Sequence, residues 1–177
     1  MKATGIVRKI DDLGRIVIPK EIRKTLHIHE GDPLEIFIEA KGEVILKKYA
    51  PMNEFIDLAN EYTETLNQIT GYSVYITDRE TIISASGASK DKYLGKGVSD
   101  EIIEIMKERK SITMSSANLN LCLDEKKEKY SSLIICPIIS DAEILGSVIL
   151  VSKDEKIGPS YTTIAEVISK ILGKQVE

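Results

Sequence analysis

Six of the seven cations in the first 24 residues fall in a pattern suited to a polyanion: Arg8, Lys9, Arg15, Lys20, Arg23 and Lys24. Lys20, Arg23 and Lys24 stand at i, i+3 and i+4, so a helix there shows all three on one face. Other reactive residue types are sparse. His27 and His29 are the sole histidines. They lie at the end of that short helix with no cysteine near them in sequence, which fits helix-end polar roles and gives no metal site. Cys122 and Cys136 are the two cysteines, too few for a disulfide framework or a cysteine zinc centre. They are expected as a loop residue and a core residue, with nothing nearby to depress a thiol pKa. Residues 84–90, Ser-Ala-Ser-Gly-Ala-Ser-Lys, lack the Gly-Lys-Ser/Thr ending of a phosphate loop and are expected to be a mobile loop. No titratable groups converge as catalysis requires, so neither an enzyme nor a cofactor is expected.

The elements that must carry the cations are legible. Residues 4–10 and 15–18 are short and rich in β-branched side chains, and 11–14 lie between them, with Gly14 suited to a hairpin loop. With a four-residue loop Arg8 faces Val17 and Ile10 faces Arg15. Arg8 and Arg15 then share one face roughly 7–8 Å apart, leaving Val7, Ile16 and Ile18 for burial. Pro19 stops the strand and opens a helix to Leu26. A second hairpin pairs 34–38 with 43–48 around Lys41-Gly42. Fifty residues of this kind bury little apolar surface alone, so a dimer is expected.

Beyond Pro51 the pattern becomes helical. Residues 53–69 place Phe55, Leu58, Ala59, Tyr62, Leu66 and Ile69 on one stripe, with Asn53 as cap and Gly71 as stop. Strands are expected at 72–77, 81–85, 131–139 and 144–152, with Pro137 marking an edge or bulge. Helices are expected from Ser99 to about Arg109 and over 160–172, the latter burying Ile164, Val167, Ile168, Ile171 and Leu172. The alternating charges of 124–129 suggest an exposed turn. This is an α+β order.

With 42% apolar and 29% charged residues, the 177-residue chain is a globular one rather than a disordered one. Its longest near-apolar stretches, 133–139 and 144–151, fall far short of the roughly 20 residues of a membrane span. Charges at residues 8, 9, 11 and 12 interrupt any secretory signal. A cytoplasmic protein is expected, nucleoid-associated if its cations bind DNA. Residues 1–52 hold 10 basic and 8 acidic groups, net +2, whereas 53–177 hold 14 and 20, net −6. A basic head on an acidic body implies two domains, 1–50 and 51–177, with different partners.

Residues 5–23, Gly-Ile-Val-Arg-Lys-Ile-Asp-Asp-Leu-Gly-Arg-Ile-Val-Ile-Pro-Lys-Glu-Ile-Arg, with Gly31-Asp32-Pro33-Leu34-Glu35-Ile36 as a second block, resemble the AbrB-type transition-state regulators. The resemblance implies a β-rich swapped-hairpin head in which two chains interleave into one dimeric barrel. It also implies degenerate binding of double-stranded DNA, carried here by Arg8, Lys9, Arg15, Lys20, Arg23 and Lys24. Lysine at 9 and 24 supplies charge without the planar fork of arginine. Cys136-Pro137-Ile138-Ile139 followed by residues 143–150 is similar to the late strands of GAF domains, which bind small molecules or serve in assembly. Head and GAF-like body together resemble the stage V sporulation regulators of the AbrB type. That resemblance implies a regulator of endospore formation that activates or represses promoters. A tetramer through the second domains is expected besides, since it would let two heads act on one DNA. The ligand of the second domain is not readable. An antitoxin of the same hairpin fold, neutralising a protein partner, is the alternative.

Overall fold

A computed structural model describes residues 5–26, 28–40, 42–49, 52, 55–123 and 125–176. The chain divides into two compact units, Met1–Tyr49 and Ala50–Glu177. His27 and Asn53 lie outside the described residues.

The first unit contains α1 (Lys20–Thr25), β1 (Leu34–Ile38) and β2 (Val44–Lys48). The second hairpin forms as its alternation requires: Leu34 pairs with Lys48, Ile36 with Leu46 and Ile38 with Val44. Gly42, at φ 77°, donates its N–H to the Glu39 carbonyl at 2.9 Å and turns the chain. Asp32 anchors the approach from α1, accepting the His29 N–H at 2.8 Å with Lys48 Nζ at 3.5 Å. Burial pushes the Asp32 carboxyl up, yet the His29 N–H and Lys48 together hold it below its ordinary value.

The first hairpin departs from expectation, since neither 5–10 nor 15–18 is in a strand. The loop is also one residue tighter. Asp11 donates its N–H to the Arg15 carbonyl at 3.1 Å, and Gly14, at φ 76°, donates to the Asp11 carbonyl at 3.0 Å. Arg15 therefore opposes Asp11 rather than Ile10. A one-residue change of register exchanges the faces, so the register that would set Arg8 and Arg15 side by side is not the one formed. The arms also lack burial within one chain: Val7 is 85% exposed, and Ile16 and Val17 are exposed with it. Among the described residues of this unit only Pro19 is buried.

The second unit is a five-stranded antiparallel sheet with helices on both faces. Its elements are α2 (Ile56–Thr70), β3 (Ser73–Thr77), β4 (Ile82–Ser86), α3 (Lys90–Tyr93), α4 (Asp100–Lys107), β5 (Ile112–Leu119), β6 (Glu128–Ser140), β7 (Glu143–Ser152) and α5 (Pro159–Gln175). The strand order is β4-β3-β7-β6-β5. Strand alternation divides the core in two. Val74, Ile76, Ile134, Cys136, Val148 and Leu150 pack with Ala59 and Leu66 of α2 and with Ala165 and Leu172 of α5. On the other face Tyr75, Ile135, Ile149 and Val151 meet Tyr93, Ile102 and Met106. Gly71 stops α2 at φ 73°, donating to the Asn67 carbonyl at 2.8 Å. Ser99 caps α4, its Oγ accepting the Ile102 N–H at 3.3 Å. Pro137 sits beyond the stretch of β6 paired with β5, one residue before the register slips at Ile138/Ile139.

Several expectations are corrected here. Strand β5 carries too few apolar residues to announce itself, and its ladder is broken at Ser116 (φ 57°), which is skipped between the Ser115–Ser132 and Ala117–Tyr130 pairs without a change of register. Residues 84–86 belong to β4 and Lys90 opens α3, so no mobile loop spans 84–90. Cys122 lies in the segment between β5 and β6, as expected, but it is buried in the core. In α2, Ile69 is 68% exposed, because the helix meets β4 through a polar seam: Thr63 Oγ1 lies 2.8 Å from Ser84 Oγ, which lies 2.6 Å from Asn60 Oδ1. In α5, Val167 is 50% exposed and Ile164 is also exposed. The buried side is Ala165, Ile168, Ser169, Leu172 and Gly173, whose small members let the helix approach β6. A Cβ on Gly173 would lie 2.3 Å from the Ile139 carbonyl oxygen.

Glu125 and Glu128 are not on an exposed turn either. Lys92 engages Glu128 and lies 3.3 Å from Glu125. Lys96 reaches Glu125 at 2.5 Å and Lys153 reaches Glu128 at 2.6 Å. The Glu128 side chain is 22% exposed. That partial burial opposes ionisation, but hydrogen bonds from Lys153, Lys92 and Tyr93 outweigh it and bring the carboxyl down to about 2.

Two expected outcomes follow from this packing. Glycine to alanine normally steadies a helix by roughly 1 kcal/mol, but Gly173→Ala drives a methyl into the β6 backbone. It should destabilise by about 1–3 kcal/mol in urea denaturation. Glu128 is more acidic folded than unfolded, so its contribution is complete above the ordinary carboxyl value of 4.5 and fades as pH falls toward 2. Wild type should therefore lose more stability than Glu128→Gln between neutral pH and pH ~3; parallel losses would remove Glu128 from the account.

Candidate nucleic-acid interface

The cations of the first unit occupy two settings. Pro19 caps α1 (φ −57°, ψ 147°), and no residue of this helix is buried. Lys20, Arg23 and Lys24 are thus exposed on successive turns of one face. Arg23 and Lys24 fall in its last turn, where the helix dipole favours positive charge. The second setting is the hairpin loop. There Asp11 Oδ1 accepts the N–H of Leu13 at 3.0 Å and of Arg15 at 2.8 Å, while Asp11 Oδ2 accepts Arg15 Nε–H at 2.8 Å.

The Arg15 N–H, first, and then its guanidinium hold the Asp11 carboxyl below its ordinary value. The Arg15 side chain is still 69% exposed. Arg8 donates Nη1–H to the Val7 carbonyl at 3.3 Å and is otherwise open to solvent. Among the described residues Lys9, Lys20, Arg23 and Lys24 have no ion-pair partner. Exposed cations with few acidic neighbours are what phosphate oxygens need.

The sequence reading passed over Asp11 as one of four loop residues. The signal was present in Asp11-Asp12-Leu13-Gly14, because an aspartate followed by glycine three places on favours an Asx-type closure. It also missed the tyrosines of the second unit. Tyr75 and Tyr93 pack edge to face, 5.4 Å between centroids and 84° between planes, and Tyr93 Oη lies 3.4 Å from Tyr130 Oη. Burial raises the pKa of both Tyr93 and Tyr130 well above the ordinary value, so these hydroxyls stay protonated. Burial likewise pushes the Cys136 thiol up to about 11, which keeps it unreactive at neutral pH. Cys122 packs on the opposite face of the sheet. Among the described residues no helix is long and apolar enough to cross a membrane.

Residues 54–177 match the family described as stage V sporulation protein T C-terminal, transcription factor. Residues 7–53 match the family of antidote-toxin recognition MazE, bacterial antitoxin. The chain is 46% identical over 177 residues to stage V sporulation protein T of Bacillus subtilis (strain 168), covering 100% of this chain and 99% of the relative. It is 39% identical over 90 residues to the transition state regulatory protein AbrB of the same organism, covering 51% of this chain and 84% of the relative. A GAF domain from a phosphoenolpyruvate-protein phosphotransferase of Coxiella burnetii superimposes with a TM-score of 0.56 at 16% identity, over 69% of this chain and 82% of that one. That likeness is one of fold. The chain belongs to the stage V sporulation protein T family, sporulation transcription factors rather than enzymes, with an AbrB-like DNA-binding head followed by a GAF-like domain.

Proposed function

We propose that residues 1–50 bind double-stranded DNA through Arg8, Lys9, Arg15, Lys20, Arg23 and Lys24, and that residues 51–177 govern assembly or sense a small molecule. The observation that carries the reading is the set of exposed α1 cations without acidic partners beside the Asp11-held Arg15, in a head of net positive charge on an acidic body. Arg15 suits base edges or close phosphates, whereas Lys20, Arg23 and Lys24 neutralise phosphates. The body's negative charge is repelled by DNA and leaves the head as the approaching surface.

Two chains are required in this reading. Ile38 is 83% exposed in a single chain, and Ile36, Val44 and Leu46 of the same face are exposed with it. Interleaving with a second copy buries these rows and doubles the cations. A tetramer formed through the second domains adds avidity by letting two heads act on one duplex. Such a protein works in the cytoplasm on the nucleoid, activating some promoters of endospore formation and repressing others. The MazE match over residues 7–53 favours an antitoxin as a second reading. Against it, residues beyond 54 have two cores of their own, unlike a tail that folds on a toxin.

In fluorescence anisotropy, duplex affinity should fall with salt by about 0.9 log unit per log salt for each phosphate neutralised. Arg15→Ala should weaken it about tenfold or more. A shallow slope and an unchanged mutant would favour the antitoxin. In a lone chain Ile38→Lys touches only solvent and should be near neutral. If a second copy covers that face, the variant instead abolishes DNA binding and exposes head amides to hydrogen exchange.

A further inference from the structure

Resting on the DNA-binding reading, we infer that Asp11 is a positioning residue for DNA recognition: its carboxylate fixes the Arg15 guanidinium so that the two Nη groups are left for the duplex. Both carboxylate oxygens are committed. Oδ1 accepts two backbone N–H groups, from Leu13 and Arg15, which fixes the carboxylate against the loop. Oδ2 then takes Arg15 Nε–H at 2.8 Å. Nε is the sole guanidinium nitrogen engaged among the described residues. The end of the fork that remains is the pair of Nη donors, the geometry that matches two phosphate oxygens or the O6 and N7 acceptors of guanine. An arginine held this way has less rotamer freedom to lose on binding.

Charge alone predicts the reverse. A carboxylate beside a polyanion repels it, so neutralising Asp11 would tighten binding. Asp12, its neighbour, supplies the matched control: it is exposed and makes no side-chain bond among the described residues. Removing either carboxylate changes the charge equally, but only Asp11 holds Arg15. Asp11→Asn keeps an oxygen for the loop N–H groups and sets an amide N–H, itself a donor, against Arg15 Nε.

The experiment uses the full-length protein and a fluorescent duplex of mixed sequence. Asp12→Asn should bind as tightly as wild type or more tightly, whereas Asp11→Asn should bind roughly three- to tenfold more weakly. In an Arg15→Ala background Asp11→Asn should cost nothing further. Without DNA, the Arg15 Hε should exchange with solvent more slowly in wild type and Asp12→Asn than in Asp11→Asn, a signature that loop stability alone does not produce. Tightening by Asp11→Asn, or a loss that persists without Arg15, would overturn the inference. Wild-type affinity in Arg15→Ala would overturn the DNA role of Arg15 and the inference with it. The Hε exchange would still report whether the clamp exists, so the two failures are separable.

Discussion

The apolar rows of the first fifty residues have no core to enter within one chain, and the arrangement of the head is governed by that. Val7, Val17, Ile36, Ile38 and Val44 are exposed while Pro19 alone is buried among the described residues of the unit. Fully burying such a side chain contributes about 1.5–3 kcal/mol, so several of them form a strong drive toward a second surface of the same kind. The β1–β2 ladder is complete within one chain, but a two-stranded hairpin is marginal in water without further packing. The arms 5–10 and 15–18 lack even that ladder. Local hydrogen bonds set the loop, the turn at Gly42 and the helix cap, and among the described residues of the unit no buried apolar layer holds them against each other.

The second unit is built on the opposite principle. Its sheet has apolar side chains on both faces and helices over both, so burial is satisfied internally. Close approach does the fine positioning. Small residues on α5 admit the β6 backbone, and the polar seam of α2 exchanges apolar contact for hydroxyl and amide hydrogen bonds with β4. Ion pairs from Lys92, Lys96 and Lys153 converge on Glu125 and Glu128 and tie α3 to the strands. Exposed ion pairs contribute little singly, but shared partners restrict each side chain more than isolated pairs do.

Local chemistry was the legible part of the sequence. The α1 cations, the pairing of β1 with β2 as a hairpin, the Ser99 cap and the Gly71 stop all follow from propensity and spacing, and the structure has each of them. Most of the failures share a cause, a contact made across the chain. Ile164 and Val167 look like core residues until Gly173 and Ser169 set the face that meets β6. Strand β5 has serines and an asparagine where a strand pattern wants apolar alternation, and it forms because β6 offers an edge. The first hairpin register turned on one carboxylate capturing a neighbouring N–H, an outcome that β-branched content does not encode. The cations of the candidate site were readable as types; Asp11, which holds one of them in place, was not.

Strand β5 lies at the border of the sheet, and its ladder is broken at Ser116, where φ is 57°. Apolar side chains exposed on the head favour association, and a straight open edge elsewhere would compete for the same contacts. Ser116 interrupts the backbone repeat of β5, and Thr113, Ser115 and Asn118 expose polar side chains along it. An edge interrupted in this way is a poor template for another strand. The interruption therefore lowers the risk of open-ended stacking along this edge.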